Sequence, residues 1–226
     1  MTTTVPSPVS VPATAEPDLS GFTLMHRALR SGTRMLAEAV DGIARDDACD
    51  RPRQRGIVEF ACAVLTEVRA HLERADAAVY RLAVVSSDEW ADLAPLSADH
   101  AELERLLQQV WSALPVFARC ASTGAPLLAP ALAELAGRLE AHLAAEEAIV
   151  FPRLRAHVTG TELERCRTRL RAGTSTARLL FLAPWLADQC HPAELQHVLA
   201  AADTRSRLLL TLGQKRYAAR RDAVLG

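Results

Sequence analysis

The chain has 226 residues and a mass of 24.5 kDa, which corresponds to one large domain or to one domain with an appendage. Half of the residues are hydrophobic and 23% are charged, the balance of a globular protein with a substantial core. Only 4% are aromatic, which disfavours the stacking platforms that bind nucleic acid. Apolar runs stay well short of the roughly 18 residues that a transmembrane helix needs. We therefore expect neither nucleic-acid binding nor membrane insertion.

The N-terminal segment and the cysteines favour a cytoplasmic bacterial protein. Residues 1–21 are rich in Thr, Ser, Pro and Val and contain no basic residue, so they predict a disordered arm rather than a secretory signal. The five cysteines are at least 13 residues apart, which excludes a CxxC motif and indicates reduced, mostly buried thiols. Lys215 is the single lysine beside many arginines, a composition typical of GC-rich bacterial genomes.

From residue 22 onward the apolar spacing is helical. The pattern predicts long helices over about residues 22–44, 56–84, 97–121 and 127–157, and shorter helices after them. Ser97 is the expected N-cap of the third helix, Gly124 and Pro126 predict a loop before the fourth, and Pro152 is expected to disturb the fourth. The predicted fold is an all-α, antiparallel up-down-up-down four-helix bundle over residues 22–157, with a C-terminal helical extension over residues 158–226 packed on it.

Charge is divided unevenly along the chain. Residues 1–152 carry 13 basic and 21 acidic side chains, whereas residues 153–226 carry 13 basic and 6 acidic ones. Basic helices that dock on an acidic bundle explain this division, and an acidic protein partner of the C-terminal region is the alternative.

An internal repeat relates the second and fourth predicted helices. The segment AHLERADAAVYR, residues 70–81, aligns without gaps on AHLAAEEAIVFP, residues 141–152. This alignment pairs Ala75 with Glu146 and Asp76 with Glu147. The first and third helices match more loosely: His26 and Leu29 correspond to His100 and Leu103, 74 residues further on. The chain therefore consists of two copies of a helix pair, and each copy carries one histidine on each helix.

These histidines have the pattern of a metal site. His142 and Glu146 are four residues apart, so they lie one turn apart on one helical face. If neighbouring helices run in opposite directions, His26, His71 and His100 converge with them at one level. Imidazole and carboxylate together suit iron and also zinc, manganese or nickel. The other histidines, which lie outside the repeat, are expected on the surface: His157, His191 and His197.

The segment HLAAEEAIVFPRL resembles the H-x-x-x-E-E-x-x-x-F-P motif of the hemerythrin-like family, the HHE cation-binding domain, and the similarity covers about residues 22–157. FLAPWL and the final RYAARRDAVLG are similar to the C-terminal region of many actinobacterial members. The resemblance implies a bundle with two carboxylate-bridged non-haem irons that binds, senses or processes O2, peroxide or NO. It assigns metal-ligand roles to these residues: His26, His71, His100, His142 and Glu146.

One ligand of the family motif is absent. The other bridging carboxylate falls at position 75, which is Ala75. Asp76 is rotated by about 100° around the helix and cannot simply replace it. Three states of the site remain open: a mononuclear site of up to four histidines and Glu146, a two-metal site completed by water, hydroxide or an outside carboxylate, and a vacant site.

The expected cofactor is therefore one or two iron ions or another divalent transition metal. The expected function is a non-haem metal protein with a degenerate, mononuclear site whose ligand is a small gas or peroxide. A metal-free regulatory or interaction module and a metalloenzyme that acts on an organic substrate are the alternatives, so the sequence assigns no enzymatic activity.

Overall fold

The computed structural model describes residues 16–85, 93–202 and 204–226, and every regular element in them is helical. The α-helices are α1 (Ser20–Ala44), α2 (Arg51–Arg74), α3 (Tyr80–Val85), α4 (Ala94–Arg119), α5 (Ala121–His157), α6 (Gly160–Ala172), α7 (Thr176–Asp188), α8 (Pro192–Ala201) and α9 (Thr204–Leu225). A π-helical turn, Ala75–Val79, joins α2 to α3 without a break. The predicted all-α class is confirmed. Of the predicted arm, residues 1–15 lie outside the described residues, and residues 20–21 belong to α1.

The four long helices form the bundle. Helix α1 packs against α5 and α2, and α4 packs against α5 and α2, so each long helix has two long neighbours. Only residues 45–50 separate α1 from α2, and only Cys120 separates α4 from α5, so the helices of each pair run antiparallel. In the part of the chain that the structure describes, no helix combines the length and apolarity needed to cross a membrane.

Helix α2 begins five residues earlier than the apolar pattern predicts. The Asp50 carboxylate accepts a hydrogen bond from the backbone N–H of Arg53 at 2.8 Å, and Pro52 lies in the first turn. An aspartate N-cap and an early proline both favour a helix start. The segment that looks like a polar loop therefore contains the first turn of α2.

The predicted loop around Gly124 and Pro126 was wrong, because α5 begins at Ala121 and runs through both residues. A Cβ added at Gly124 would lie 2.2 Å from Cα of Phe117, so this glycine permits close packing of α4 on α5. Ser97 is likewise inside α4 rather than at its N-cap, and its hydroxyl donates to Asp76. Helix α5 also continues through Pro152.

The C-terminal helices pack on the outside of the bundle. Helix α9 lies against α2 and α7, and α7 also contacts α1. The aromatic rings of Phe181, Trp185 and Tyr217 are buried where these helices meet. Arginines of this basic region pair with carboxylates of the acidic bundle: Arg178 with Glu67, and Arg220 with Glu59. Basic side chains of the C-terminal region therefore find acidic partners within the same chain. Binding of an acidic protein by this region stays a prediction.

The five cysteines are free thiols. Only Cys166 is buried, and Cys120 is exposed, so the prediction of mostly buried thiols was wrong. Hydrogen bonds from Ser122 and Thr123 lower the pKa of Cys120 to about 7.

Buried apolar side chains form two clusters along the bundle. The larger contains Leu29, Leu103 and Leu143, and the smaller contains Leu96 and Val150. Buried polar side chains lie between these two clusters: His26, His100, His142 and Glu146. Burial of several polar groups at one level of an apolar bundle is costly unless they serve as ligands or bind each other.

Candidate metal centre

Four imidazoles, one from each long helix, lie side by side inside the bundle as two pairs. The ring centroids of His26 and His71 are 5.0 Å apart, and those of His100 and His142 are 4.8 Å apart. Within each pair, the edge of one ring points at the face of the other. The predicted histidines are thus brought together, although they form two adjacent sets rather than a ring around one point.

Glu146 lies between the two pairs and is only 2% exposed. Its Oε2 atom is 3.1 Å from Nε2 of His71 and 3.5 Å from Nε2 of His26. The same oxygen is 3.9 Å from Nε2 of His142, on its own helix. Ligand atoms of His26, His71 and Glu146 all lie within 4.8 Å of one another, so these three residues form a compact set that can hold one metal ion.

The outer nitrogen of His26 is held by a carboxylate. Nδ1 of His26 is 2.9 Å from Oε1 of Glu147, and Arg30 binds both oxygens of Glu147 at 2.6 and 3.2 Å. An ionised carboxylate only accepts hydrogen bonds, so we assign the proton of His26 to Nδ1. The lone pair of Nε2 then faces Glu146.

Nε2 of His26 is buried and has no hydrogen-bond partner among the described residues. Its lone pair and the Glu146 oxygen are both electron-rich, and they face each other at 3.5 Å. A cation between them would be bound by both atoms, whereas nothing else described at this point satisfies Nε2. The arrangement therefore fits a metal ion.

In the second pair a carboxylate lies near each outer nitrogen, but only that of His100 is within hydrogen-bond distance, and Nδ1 of His142 has no hydrogen-bond partner among the described residues. Nδ1 of His100 is 2.7 Å from Oδ2 of Asp76, and Nδ1 of His142 is 3.7 Å from Oδ2 of Asp99. The two Nε2 atoms are 3.2 Å apart. Carboxylates at Nδ1 and inward Nε2 atoms are typical of metal-ligating histidines, because the outer hydrogen bond fixes the tautomer and the ring orientation.

Either tautomer of His142 leaves one unfavourable contact in this pair. If Nε2 of His142 carries the proton, it donates to His100, and the bare Nδ1 faces the Asp99 carboxylate. If Nδ1 carries the proton, two lone pairs face each other at 3.2 Å. A cation near both Nε2 atoms removes the conflict, since each imidazole can then keep its proton on the side of its carboxylate.

Burial sets the protonation of these groups. Desolvation, with the neighbouring His71, lowers the pKa of His26 to about 4. Desolvation, opposed by Glu146, lowers the pKa of His142 to about 4. Burial by itself would raise the pKa of Glu146, but the charges and hydrogen bond of the surrounding histidines, His71 first, hold it at about 2. Neutral imidazoles beside an ionised carboxylate are the protonation states that metal binding requires.

Position 75 carries no metal-ligating side chain, because it is an alanine. Ala75 is buried, and it begins the π-helical turn that ends at Val79. Directly after this turn, Tyr80 stacks on His100 with ring centroids 5.5 Å apart, and its hydroxyl oxygen is 3.4 Å from Nε2 of His100. In the other half, Phe151 takes the matching place beside His26, at 5.4 Å between ring centroids.

Sequence reasoning missed the residues around the histidines. The gap-free repeat pairs Asp76 with Glu147 and Tyr80 with Phe151. This pairing could have indicated that these residues contact the histidines. Arg30 and Asp99 lie outside the repeated segment, and only the structure locates them. His157 and His191 are exposed as predicted, and the side chain of His197 lies outside the described residues.

An antiparallel four-helix bundle that encloses histidines from all four helices and a buried glutamate defines a class of cation-binding helical proteins. The family model for the hemerythrin HHE cation-binding domain matches residues 19–154, and the chain belongs to this family. No curated protein and no solved structure matches the chain.

Proposed function

We propose that the protein is a non-haem iron protein that binds, senses or processes O2, peroxide or NO, with a metal held by His26, His71 and Glu146. The observation that carries the proposal is the inward Nε2 atom of His26, which is buried, makes no hydrogen bond to any described residue and faces the Glu146 carboxylate at 3.5 Å.

The type of ligand favours iron. Two histidines and one carboxylate that leave other coordination positions open are the ligand set of many non-haem Fe(II) proteins that use O2. Bound iron would supply an open position for a small molecule and the capacity for one-electron chemistry. The missing carboxylate at Ala75 favours one metal in this half over the bridged pair that the family motif implies, because the second cation would lack its own anion.

The protein's own residues prepare this position. Arg30 fixes Glu147 with two hydrogen bonds, and Glu147 in turn fixes the ring of His26. Helix α5 carries Glu146 and Glu147 as neighbours, so one helix supplies both an inward ligand and an outward support. The apolar clusters on either side exclude bulk water, which strengthens every charge interaction inside.

Metal analysis of the purified protein tests the proposal. After anaerobic loading with Fe(II) and removal of excess metal, we expect at least about one equivalent of bound iron and a spectral change with NO or O2. Glu146→Gln keeps the shape of the side chain but removes the charge, so it should lose this iron. Glu134→Gln is the matched control, because Glu134 is exposed on the same helix and pairs with Arg105 rather than with a residue of the centre.

Loss of iron in both variants, or in neither, would contradict the assignment of Glu146. If the unaltered protein binds no transition metal at all, the proposal fails and a metal-free interaction module is the better interpretation. Helical circular dichroism of each variant shows that the bundle is intact.

A further inference from the structure

Among the described residues, the His100–His142 half of the centre has carboxylates near its outer nitrogens but no inward carboxylate of its own, and it has a buried phenol. The repeat gives the His26–His71 half its carboxylate from Glu146, and the equivalent residue for the other half is Ala75. The Tyr80 side chain is buried, and its hydroxyl oxygen lies 3.4 Å from Nε2 of His100. The tyrosine oxygen is thus a candidate ligand on this side. Burial and the neighbouring carboxylates raise the pKa of Tyr80, so the phenol keeps its proton until a bound cation displaces it.

Tyr80 takes the place beside His100 that its repeat partner Phe151 takes beside His26. The π-helical turn Ala75–Val79 precedes Tyr80, whereas Phe151 reaches its place on a regular α-helix, so the turn is not needed to place the ring. Tyr80 is the first residue after the turn. Its repeat partner Phe151 lies on the regular helix α5 and brings no polar atom to His26. The two halves therefore differ at this place by the hydroxyl group of Tyr80.

The two histidines present a binding edge beside the phenol. Their Nε2 atoms are 3.2 Å apart, and their Nδ1 atoms face Asp76 and Asp99. Either tautomer of His142 leaves one unfavourable contact, and a cation near the Nε2 atoms removes it. A site with two neutral imidazoles and no anion would bind a trivalent cation weakly, and an oxygen anion would offset the charge.

We propose that Tyr80 ligates, through its phenolate oxygen, a metal ion that His100 and His142 hold, and so supplies the anion that position 75 lacks. The inference rests on the proposed metal-binding function. On binding, the O–H bond of Tyr80 breaks, its proton leaves to solvent, and the oxygen lone pair forms the bond to Fe(III). The oxidation state of the iron does not change.

Colour provides a direct test, because phenolate bound to Fe(III) gives a visible charge-transfer absorption that imidazole and carboxylate ligands do not give. The full-length protein is titrated with Fe(III), and iron content, visible absorption and resonance Raman spectra are recorded. We expect a visible band whose Raman spectrum contains the ring modes of a bound tyrosinate. The Raman measurement needs no variant, so it tests the proposal even if a variant fails to fold.

The chain offers a matched pair of variants, because it contains two tyrosines and both are buried. Tyr80→Phe should abolish the band and weaken iron binding in this half by more than the roughly 10–100-fold that loss of a supporting residue costs. Tyr217→Phe removes a hydroxyl that donates to Asp188 and should leave the band unchanged. In the double variant Ala75→Glu with Tyr80→Phe, the carboxylate should restore iron binding without the colour.

The outcomes separate this inference from the proposed function. Bound iron without a tyrosinate band, or a band that persists in Tyr80→Phe, overturns the role of Tyr80 and leaves the site of His26, His71 and Glu146 standing. A protein that binds no iron overturns both. A band that depends on Tyr80 and not on Tyr217 supports the inference.

Discussion

Oδ2 of Asp76 lies 2.7 Å from Nδ1 of His100, on the side of the ring that faces away from the other histidines. Glu147 binds Nδ1 of His26 in the same way at 2.9 Å. The two acids occupy matching places in the repeat, one residue after the inward position on their helices. Asp76 is therefore the counterpart of Glu147 and not a displaced substitute for Glu146. It keeps His100 oriented even though Ala75, beside it, contributes no ligand.

Ala75→Glu should restore the absent carboxylate. After anaerobic loading we expect the Fe(II) content to rise toward two equivalents, because the carboxylate gives the second cation an anion without loss of the Tyr80 proton. Exposure to O2 should then produce the absorption of oxygen-bridged ferric iron. In the metal-free protein the new buried charge lies near Glu146 and should lower the free energy of unfolding, so bound metal should raise the melting temperature more than it does in the unaltered protein. Elemental analysis and thermal unfolding with and without chelator measure both effects.

Ala77→Glu is the control for this variant, because Ala77 is exposed in the same π-helical turn. It adds the same charge without facing the histidines and should change neither iron content nor the effect of metal on melting. Unaltered iron content in Ala75→Glu would show that the missing carboxylate does not limit the second metal.

The metal-free protein should lose stability as the pH falls from 6.5 to about 4. His26 has a pKa of about 4 in the folded chain against 6.5 in the unfolded chain. In this window the unfolded chain therefore binds a proton that the folded chain does not, and the free energy of unfolding falls with pH. The contribution of His26 is on the order of 3 kcal/mol. His142 acts with the same sign.

Urea unfolding in the presence of a chelator, repeated across this pH range, measures the dependence. His26→Gln should make it shallower, and His157→Gln, at an exposed position, should leave it unchanged. Glu146 extends the loss to lower pH, since its folded pKa of about 2 lies below the ordinary 4.5 and its stabilising charge disappears between these values. An equal slope in His26→Gln and in the unaltered protein would contradict the assignment.

The sequence predicts that the four histidines and Glu146 lie close together, but it does not predict that the histidines form two pairs. Helical spacing predicts which face of each helix is buried, and the repeat predicts that the histidines lie at the same height along the bundle. Both features therefore follow from the sequence. The division into two histidine pairs depends on ring rotations, which the hydrogen bonds to Glu147 and Asp76 set. The π-helical turn is equally hidden, because apolar spacing over five residues does not distinguish a π turn from an α turn.

The boundary errors have a similar cause. Gly124 has the usual signature of a loop, yet here it allows the backbone of α4 to approach α5. A glycine that a turn requires and a glycine that close packing requires look the same in one sequence. The start of α2 is the opposite case, because Asp50 and Pro52 do carry a local signal for a helix start.

The ion pair of Arg178 with Glu67 should anchor the C-terminal extension. Glu67 is 2% exposed, and Arg178 of α7 binds both of its oxygens, one of them at 2.6 Å. Arg178→Met leaves a buried charge without its partner and should cost about 3 kcal/mol of unfolding free energy. The double variant with Glu67→Leu should recover most of this loss. Chemical denaturation of the single and double variants measures it.

An exposed pair provides the comparison for this result. Arg45 and Asp41 form an ion pair near the end of α1, with both side chains in contact with water. Arg45→Met should change stability little, because solvent replaces the lost partner. If Arg178→Met changes the free energy of unfolding as little as Arg45→Met does, Glu67 is hydrated in solution and its ion pair with Arg178 contributes little to stability.

Two glycines should respond in opposite ways to the same substitution. A Cβ at Gly213 of α9 would lie 2.0 Å from the carbonyl oxygen of Leu180 in α7, so Gly213→Ala must push these helices apart and should cost about 1–3 kcal/mol. A Cβ at Gly137 of α5 meets no described atom within 4 Å. Gly137→Ala should therefore stabilise the protein by about 0.5–1 kcal/mol, through helix propensity alone.

Thermal and urea unfolding of the two variants under identical conditions provide the comparison. A destabilised Gly213→Ala with unchanged iron loading would show that the packing of α9 on α7 supports the fold without shaping the metal centre. If Gly213→Ala is as stable as the unaltered protein, α9 does not pack closely on α7 in solution.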